Sequence, residues 1–358
     1  THGGPASTPA TARGGAKKRM AGDMTILHHL TAPPPRVTGS DAVFQEVDLL
    51  IHTFGGETIN RYPFETPSRF WPKQLYGLHN LRAARTLEAQ AEVNHIWFAM
   101  LHPFAFLRFL KKPVVYSVTA GLPSTPPPPF LLQRLRLIVV NNERDKAQLD
   151  RWGVRNSRLI IPGIDPARFR ESAAAADGGF TLLAASAPWT RGQIRSKGWE
   201  ALVECAARIP DLRLILLLRG WLEVEVKNLV ADRGVASRVE VIDEQADVGA
   251  LLDRSHAAVV LAENSRLVKA WPHSLLEAMA AGRPVLVSRA IPMAGYVDAQ
   301  RCGVTAEHLD PVEIMRAIAA LRDGYATFRM NATTAARRDF DRQRMLDRWA
   351  ATYAECRR

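Results

Sequence analysis

Between residues 269 and 288 the chain reads Lys-Ala-Trp-Pro-His-Ser-Leu-Leu-Glu-Ala-Met-Ala-Ala-Gly-Arg-Pro-Val-Leu-Val-Ser. Ser274 and Glu277 have the spacing of a capping box, which predicts a helix beginning near Ser274 with its free amides aimed back at residues 269–273. An apolar run at 257–261 precedes this segment and reads as a buried strand. A helix that starts just beyond a strand's carboxyl end is a seat for a phosphate, because its amides lack partners and its dipole is positive there. Ser274, Leu275 and Leu276 are the residues whose amides would serve. Glu277 either closes the box on Ser274, a role worth about 1 kcal/mol, or turns outward to accept from hydroxyls.

The rest of the sequence must position that helix. A short apolar run at 25–30 leads into a Pro-rich loop containing Gly39, and Ser40 or Asp41 can cap a helix reaching to about residue 53. Strands are predicted at 58–62, 95–98, 113–118, 137–140 and 158–161. After a low-complexity linker at 172–179 they recur at 180–185, 213–218, 239–242, 257–261 and 284–288. Helical stretches between them, such as 75–92, 143–152 and 198–208, argue for parallel sheets covered on both faces. A length of 358 residues allows two such units, each with its own core. The expected organisation is a disordered tail over 1–22, one domain over 23–171, a second over 178–330, and a last helix over 331–358.

Composition narrows the class. The net charge of +11 is concentrated in residues 1–170, which hold 22 Lys and Arg against 12 Asp and Glu. That fits an anionic acceptor or an anionic membrane surface, and equally a solvated basic face. Cys205, Cys302 and Cys356 have no metal-binding spacing, so reduced thiols, no zinc site and a cytoplasmic protein are expected. Residues 104–112 are aromatic and end in two lysines. They suit a helix resting on the inner face of a membrane or one buried ahead of the next strand.

Trp271, Pro272, Ser274, Leu276, Glu277, Ala278, Met279, Gly282 and Pro284, with Lys197-Gly198 and the run Pro162-Gly163-Ile164-Asp165, resemble the retaining GT-B glycosyltransferases of the group 1, or family 4, type. The resemblance implies an α/β fold of two Rossmann-like, doubly wound domains facing a cleft. It also implies transfer of a sugar from a nucleoside diphosphate to a hydroxyl, without a metal or other cofactor. In that family a Lys-Gly and a nearby Arg neutralise the departing diphosphate, which here implies Lys197 and Arg191, with Arg195 equally near. Glu277 takes the position that binds the ribose hydroxyls. Gly39 and Ser40 match the loop brought against the diphosphate, where little or no side chain permits close approach. Gly220 and Glu244 stand at strand ends where a base would lie.

One position departs from the pattern: the family places an acid beside the transferred sugar, and this chain has Lys269. A cation cannot accept from sugar hydroxyls, but it can pair with a phosphate or carboxylate. The sequence fits equally a solvated loop residue, with Glu263 reaching the sugar instead. The family's histidine after the fourth strand is missing too, and His95 and His102 are more simply structural. The implied partners are a nucleotide sugar and a saccharide or lipid-linked acceptor in cell-envelope polysaccharide or glycolipid synthesis, with no nucleic acid. Two alternatives keep the fold: a sugar-nucleotide epimerase or hydrolase, for which the first half shows no carboxylate pair, and a degenerate protein that binds without turnover.

Overall fold

The computed structural model describes residues 25–35, 37, 39, 41–64, 71–169, 171, 178–218 and 221–357. Two six-stranded sheets result, parallel throughout. The first holds β1 (Ile26–Leu30), β2 (Glu57–Asn60), β3 (Val93–Phe98), β4 (Val114–Val118), β5 (Leu137–Val140) and β6 (Ser157–Leu159), in the order β2-β1-β3-β4-β5-β6. The second holds β7 (Phe180–Ala184), β8 (Leu212–Leu217), β9 (Val239–Ile242), β10 (Ala257–Val260), β11 (Val285–Ser288) and β12 (Gly303–Ala306), ordered β12-β11-β10-β7-β8-β9. Val-Val-Tyr-Ser-Val in β4 and Ala-Ala-Val-Val in β10 are buried at every position, as a sheet covered on both faces requires. The expected tail over 1–22, Ser40 and Gly220 lie outside the described residues.

Each sheet reverses its winding beside its first strand, between β1 and β3 and between β7 and β10. Loops diverge there on leaving the carboxyl ends, and a crevice opens. Both crevices face the same cleft.

Several boundaries differ from expectation for local reasons. The helix expected over 75–92 runs only from Leu81 to Gln90. Gly77 ahead of it has φ +75°, and a Cβ there would lie 2.8 Å from the Phe106 ring, so the chain turns before it can coil. Residues 104–112 form a short 3-10 turn, Ala105–Phe109, with Phe106 and Leu107 buried. The helix Ala294–Gln300 and strand β12 have no signal in the sequence reading; neither carries a side-chain cap nor a long apolar run.

The final helix, Arg342–Arg357, packs on the first domain's sheet, burying Trp349, Tyr353 and Cys356 with Ile26, Val93 and Val115. The helix before it, Tyr325–Asp339, stays on the second domain against the helix His273–Ala280. Asp339 accepts a hydrogen bond from the Tyr296 hydroxyl at 2.6 Å and so serves the second domain's packing.

The run at 25–30 is less apolar in its role than in its burial: His28 and His29 are fully enclosed, as are Arg61, Asn94 and His95. Arg61 Nε donates to His29 Nδ1 at 2.9 Å, so the proton sits on Nε2, which donates to Asn94 Oδ1 at 2.9 Å. His95 bridges Ser117 Oγ and the Tyr353 hydroxyl, each at 2.8 Å. This places His95 as a structural strut. Burial holds His28 down at about 3 and keeps His29 and His95 well below the usual histidine value, so all three are neutral.

Candidate active site

A cleft of about 1370 Å³ separates the domains and is lined from both. On the second-domain wall stand Lys197, Glu244, Lys269, Ser274 and Glu277, on the first-domain wall Gly39 and Asp41. Segments far apart in sequence thus meet at the two points of winding reversal.

Lys197 ends the short helix Arg191–Ser196, and Gly198 behind it has φ +69°. A Cβ at 198 would come within 2.7 Å of Leu261 at the end of β10, so a side chain is excluded both by conformation and by contact. The Lys-Gly pair therefore has a steric basis: glycine lets the lysine loop lie directly on the neighbouring strand. The amide of Glu263 donates to the Ser196 carbonyl at 2.9 Å and ties the loops after β7 and β10 together. The Lys197 ammonium, only 3% exposed with its residue, donates to the Ala187 carbonyl at 2.9 Å and reaches into the cleft.

Arg191 is not brought to this place. Its side chain is 81% exposed, it pairs with Glu225 at 2.9 Å, and it does not line the cleft. It stands six residues before Lys197, on the exposed side of that helix, while Gln193 lines the cleft. Arg195 is exposed as well.

The helix start is shifted by one residue from the expected Ser274. The helix begins at His273, with Pro272 in the cap position and no side-chain cap. Pro fixes φ there, at −64°, and no capping box forms. The amides of Leu275 and Leu276 both bond the Pro272 carbonyl, at 3.0 and 3.2 Å. This leaves His273 and Ser274, the first two residues of the helix, as those whose amides have no acceptor within it. Leu275 and Leu276 are core residues, fully buried.

Released from capping, Glu277 faces the cleft. Burial raises its carboxyl to about 7, with Arg168 opposing the shift. Arg168 lines the cleft too and comes from the segment after β6, where Arg342 fixes the neighbouring Asp165 at 2.8 Å. Sequence reasoning took that segment only as a domain end and so missed its cation.

Lys269 lines the cleft and is the charge next to Glu46, on the helix Ala42–Phe54 of the first domain. Burial raises the Glu46 carboxyl while Lys269 and the Trp349 indole hold it down. Burial, helped by Lys269, pushes His273 down to about 3, against the pull of Asp41. The cation thus acts on a carboxylate contributed by the other domain, Glu46. A second tie crosses nearby, from Trp271 Nε1 to the Asn141 carbonyl at 2.5 Å. Gly39, at φ +72°, has open space around it, so its conformation rather than crowding selects glycine. Glu244 is exposed at the cleft's edge. Among the described residues no group of three His, Cys, Asp or Glu could hold a metal ion, and no helix is long and apolar enough to cross a membrane.

Residues 192–339 match the family model described as glycosyl transferases group 1. No curated protein matches in sequence. Solved structures do match across the chain. The sucrose-phosphate synthase of Thermosynechococcus elongatus is 16% identical over 93% of this chain and 98% of its own, with a TM-score of 0.68. HepE of Anabaena, solved with UDP-glucose, is 16% identical over 92% and 99%, with a TM-score of 0.65. WaaG, a glycosyltransferase involved in lipopolysaccharide biosynthesis, is 15% identical over 91% and 98%, at 0.66. Identities this low speak for the fold alone. With the family match they give one conclusion: the chain has the two-domain GT-B fold, and its residues 192–339 are similar to the glycosyl transferases group 1.

Proposed function

We propose that the chain is a retaining glycosyltransferase that moves a sugar from a nucleoside diphosphate to a hydroxyl acceptor in cell-envelope polysaccharide or glycolipid synthesis. The observation that carries this reading is the placement of the Lys197 ammonium and the Glu277 carboxylate on one wall of one cleft, beside a helix start. A nucleotide sugar asks for those three groups. Lys197 meets the diphosphate, the His273 and Ser274 amides meet its oxygens, and Glu277 accepts from the ribose hydroxyls.

The reaction breaks the bond between the anomeric carbon and the β-phosphate oxygen and forms one to the acceptor oxygen. The departing phosphate oxygen takes the acceptor's proton on the same face, so the configuration is kept and no enzymic nucleophile is required. Charge builds on the diphosphate as it leaves, and a buried ammonium stabilises that charge more than water does. Lys197 supplies this without a metal, so EDTA leaves the rate unchanged. The reading places the protein in the cytoplasm.

Titration calorimetry with UDP and GDP tests the site, and labelled-sugar transfer to lipid and saccharide extracts tests turnover. Failure of both nucleotides to bind folded protein sinks the assignment. Lys269 supports a second reading, binding without turnover, because a cation instead of an acid stands at the family's sugar-contact position. Nucleotide binding with no labelled product from any donor would select it.

A further inference from the structure

Outside the cleft, one face of the first domain combines exposed rings with unopposed positive charge. Residues 93–142 carry five Lys and Arg and no Asp or Glu. The turn Ala105–Phe109 buries Phe106 and Leu107 and leaves Phe109 outward, 42% exposed. Phe130, in the first turn of the helix Pro129–Arg134, is 45% exposed. Among the described residues of the second domain no Phe, Tyr or Trp is so exposed.

Hydrogen bonds join the two segments into one face. Arg134 Nε donates to the Leu107 carbonyl at 3.1 Å, and its guanidinium also donates to the Leu110 carbonyl. Each ring lies under a cation. The Arg85 guanidinium stands 6.0 Å from the Phe109 ring centre, and that of Arg108 stands 5.3 Å from the Phe130 centre. Arg85 comes from the helix Leu81–Gln90, whose one acid, Glu88, is buried and accepts from the amides of Lys111 and Lys112 at 2.7 and 2.9 Å. That carboxylate anchors the segment from within. Arg85, Arg108 and Lys111 stay exposed, with no ion pair among the described residues.

The cations call for dense negative charge, and the rings call for an apolar phase within reach of a half-exposed side chain. An acidic peptide supplies the first, yet this face is made of short turns and a six-residue helix and has no free sheet edge, so a peptide strand finds no seat. The surface of an anionic bilayer supplies both, with phosphates outermost and acyl chains just below. We propose that this face docks on an anionic phospholipid bilayer, Phe109 and Phe130 entering its interface while Arg85, Arg108, Lys111 and Lys112 meet lipid phosphates. The inference stands apart from the transferase reading, since none of these residues lines the cleft.

Sedimentation with vesicles tests it, using phosphatidylcholine alone and phosphatidylcholine mixed equally with phosphatidylglycerol. The full chain should partition at least about ten-fold more strongly onto the mixed vesicles, and the preference should shrink as salt rises from about 0.1 M to about 0.5 M. Arg108→Gln with Lys111→Gln should lower partition about ten-fold or more. Phe109→Gln with Phe130→Gln should lower it about ten-fold at unchanged charge, and if that pair does not fold, Phe130→Gln alone carries the same direction. Nucleotide affinity should be the same in every folded variant. Equal partition onto both kinds of vesicle, or none onto either, overturns the inference. So does binding to mixed vesicles that survives the loss of both rings, which would assign the face to a soluble polyanion.

Discussion

The two domains share a winding plan and place their polar groups in opposite ways. In the second, the central strands β7 and β10 read Phe-Thr-Leu-Leu-Ala and Ala-Ala-Val-Val and carry no charged side chain, while Lys197, Lys269 and Glu277 line the cleft. In the first, β1 and β3 enclose His28, His29, Asn94 and His95 at the centre, and aromatic rings face the cleft. One fold therefore tolerates either arrangement, provided that buried polar groups are bonded. The second domain turns Lys197, Lys269 and Glu277 to the cleft, while the first encloses a polar lattice within its own sheet.

The largest effect on this contrast comes from removing the buried ammonium. Lys197→Met lowers labelled-sugar transfer by about 10²–10³-fold, since it removes a preorganised charge from the departing group. A loss under about three-fold, in protein whose circular dichroism is unchanged, would return Lys197 to a packing role.

Acid separates the domains next. A histidine held neutral by burial binds its proton more weakly when folded than when unfolded. Its contribution is present above the ordinary value of 6.5 and is lost as pH falls toward the lowered folded value, about 3 for His28. Each such group costs about 1.4 kcal/mol per pH unit within that window. Hydrogen exchange at about pH 5 should show β1 and β3 opening before β7 and β10. Uniform loss of protection across both sheets would contradict the contrast.

Glu277 gives a smaller effect with two readouts. Its carboxyl is raised from 4.5 to about 7, so ionising it above pH 7 burdens the folded state. Glu277→Gln should raise Tm at about pH 8 by a few degrees and weaken UDP or GDP binding about ten-fold. In the parent protein, nucleotide affinity should climb between about pH 6 and pH 8 as the acceptor carboxylate forms. Affinity that is flat with pH would assign Glu277 to the domain's packing. Smallest of all, Arg191→Ala should change nucleotide affinity less than about two-fold, because its solvated pair with Glu225 leaves it outside the cleft. A ten-fold loss would require the loop to move on binding.

The sequence exposed features set by local chemistry. Apolar runs marked eleven of the twelve strands, and Lys197-Gly198 could be read because glycine is forced there by a neighbouring strand. Asp41 caps its helix as its type suggests. Features created by tertiary meeting were hidden. Glu46 and Lys269 are 223 positions apart, and Arg168 reaches Glu277 across the domain boundary. A capping box was expected at Ser274 because spacing alone cannot show that Pro272 already fixes the entry to that helix. The histidines of β1 were absorbed into an apolar run because burial, not hydropathy, is what that strand position demands.

The helix Arg342–Arg357 has a consequence for how the protein is made. Trp349 and Tyr353 complete the layer against His95, yet they follow every strand of both sheets in the chain. A nascent chain with every strand of its amino-terminal half synthesised still lacks one face of that half's core. The first domain must wait for a segment that follows the whole second domain, and a ribosome stalled between the helices Tyr325–Asp339 and Arg342–Arg357 would hold an unfinished first domain beside a finished second one.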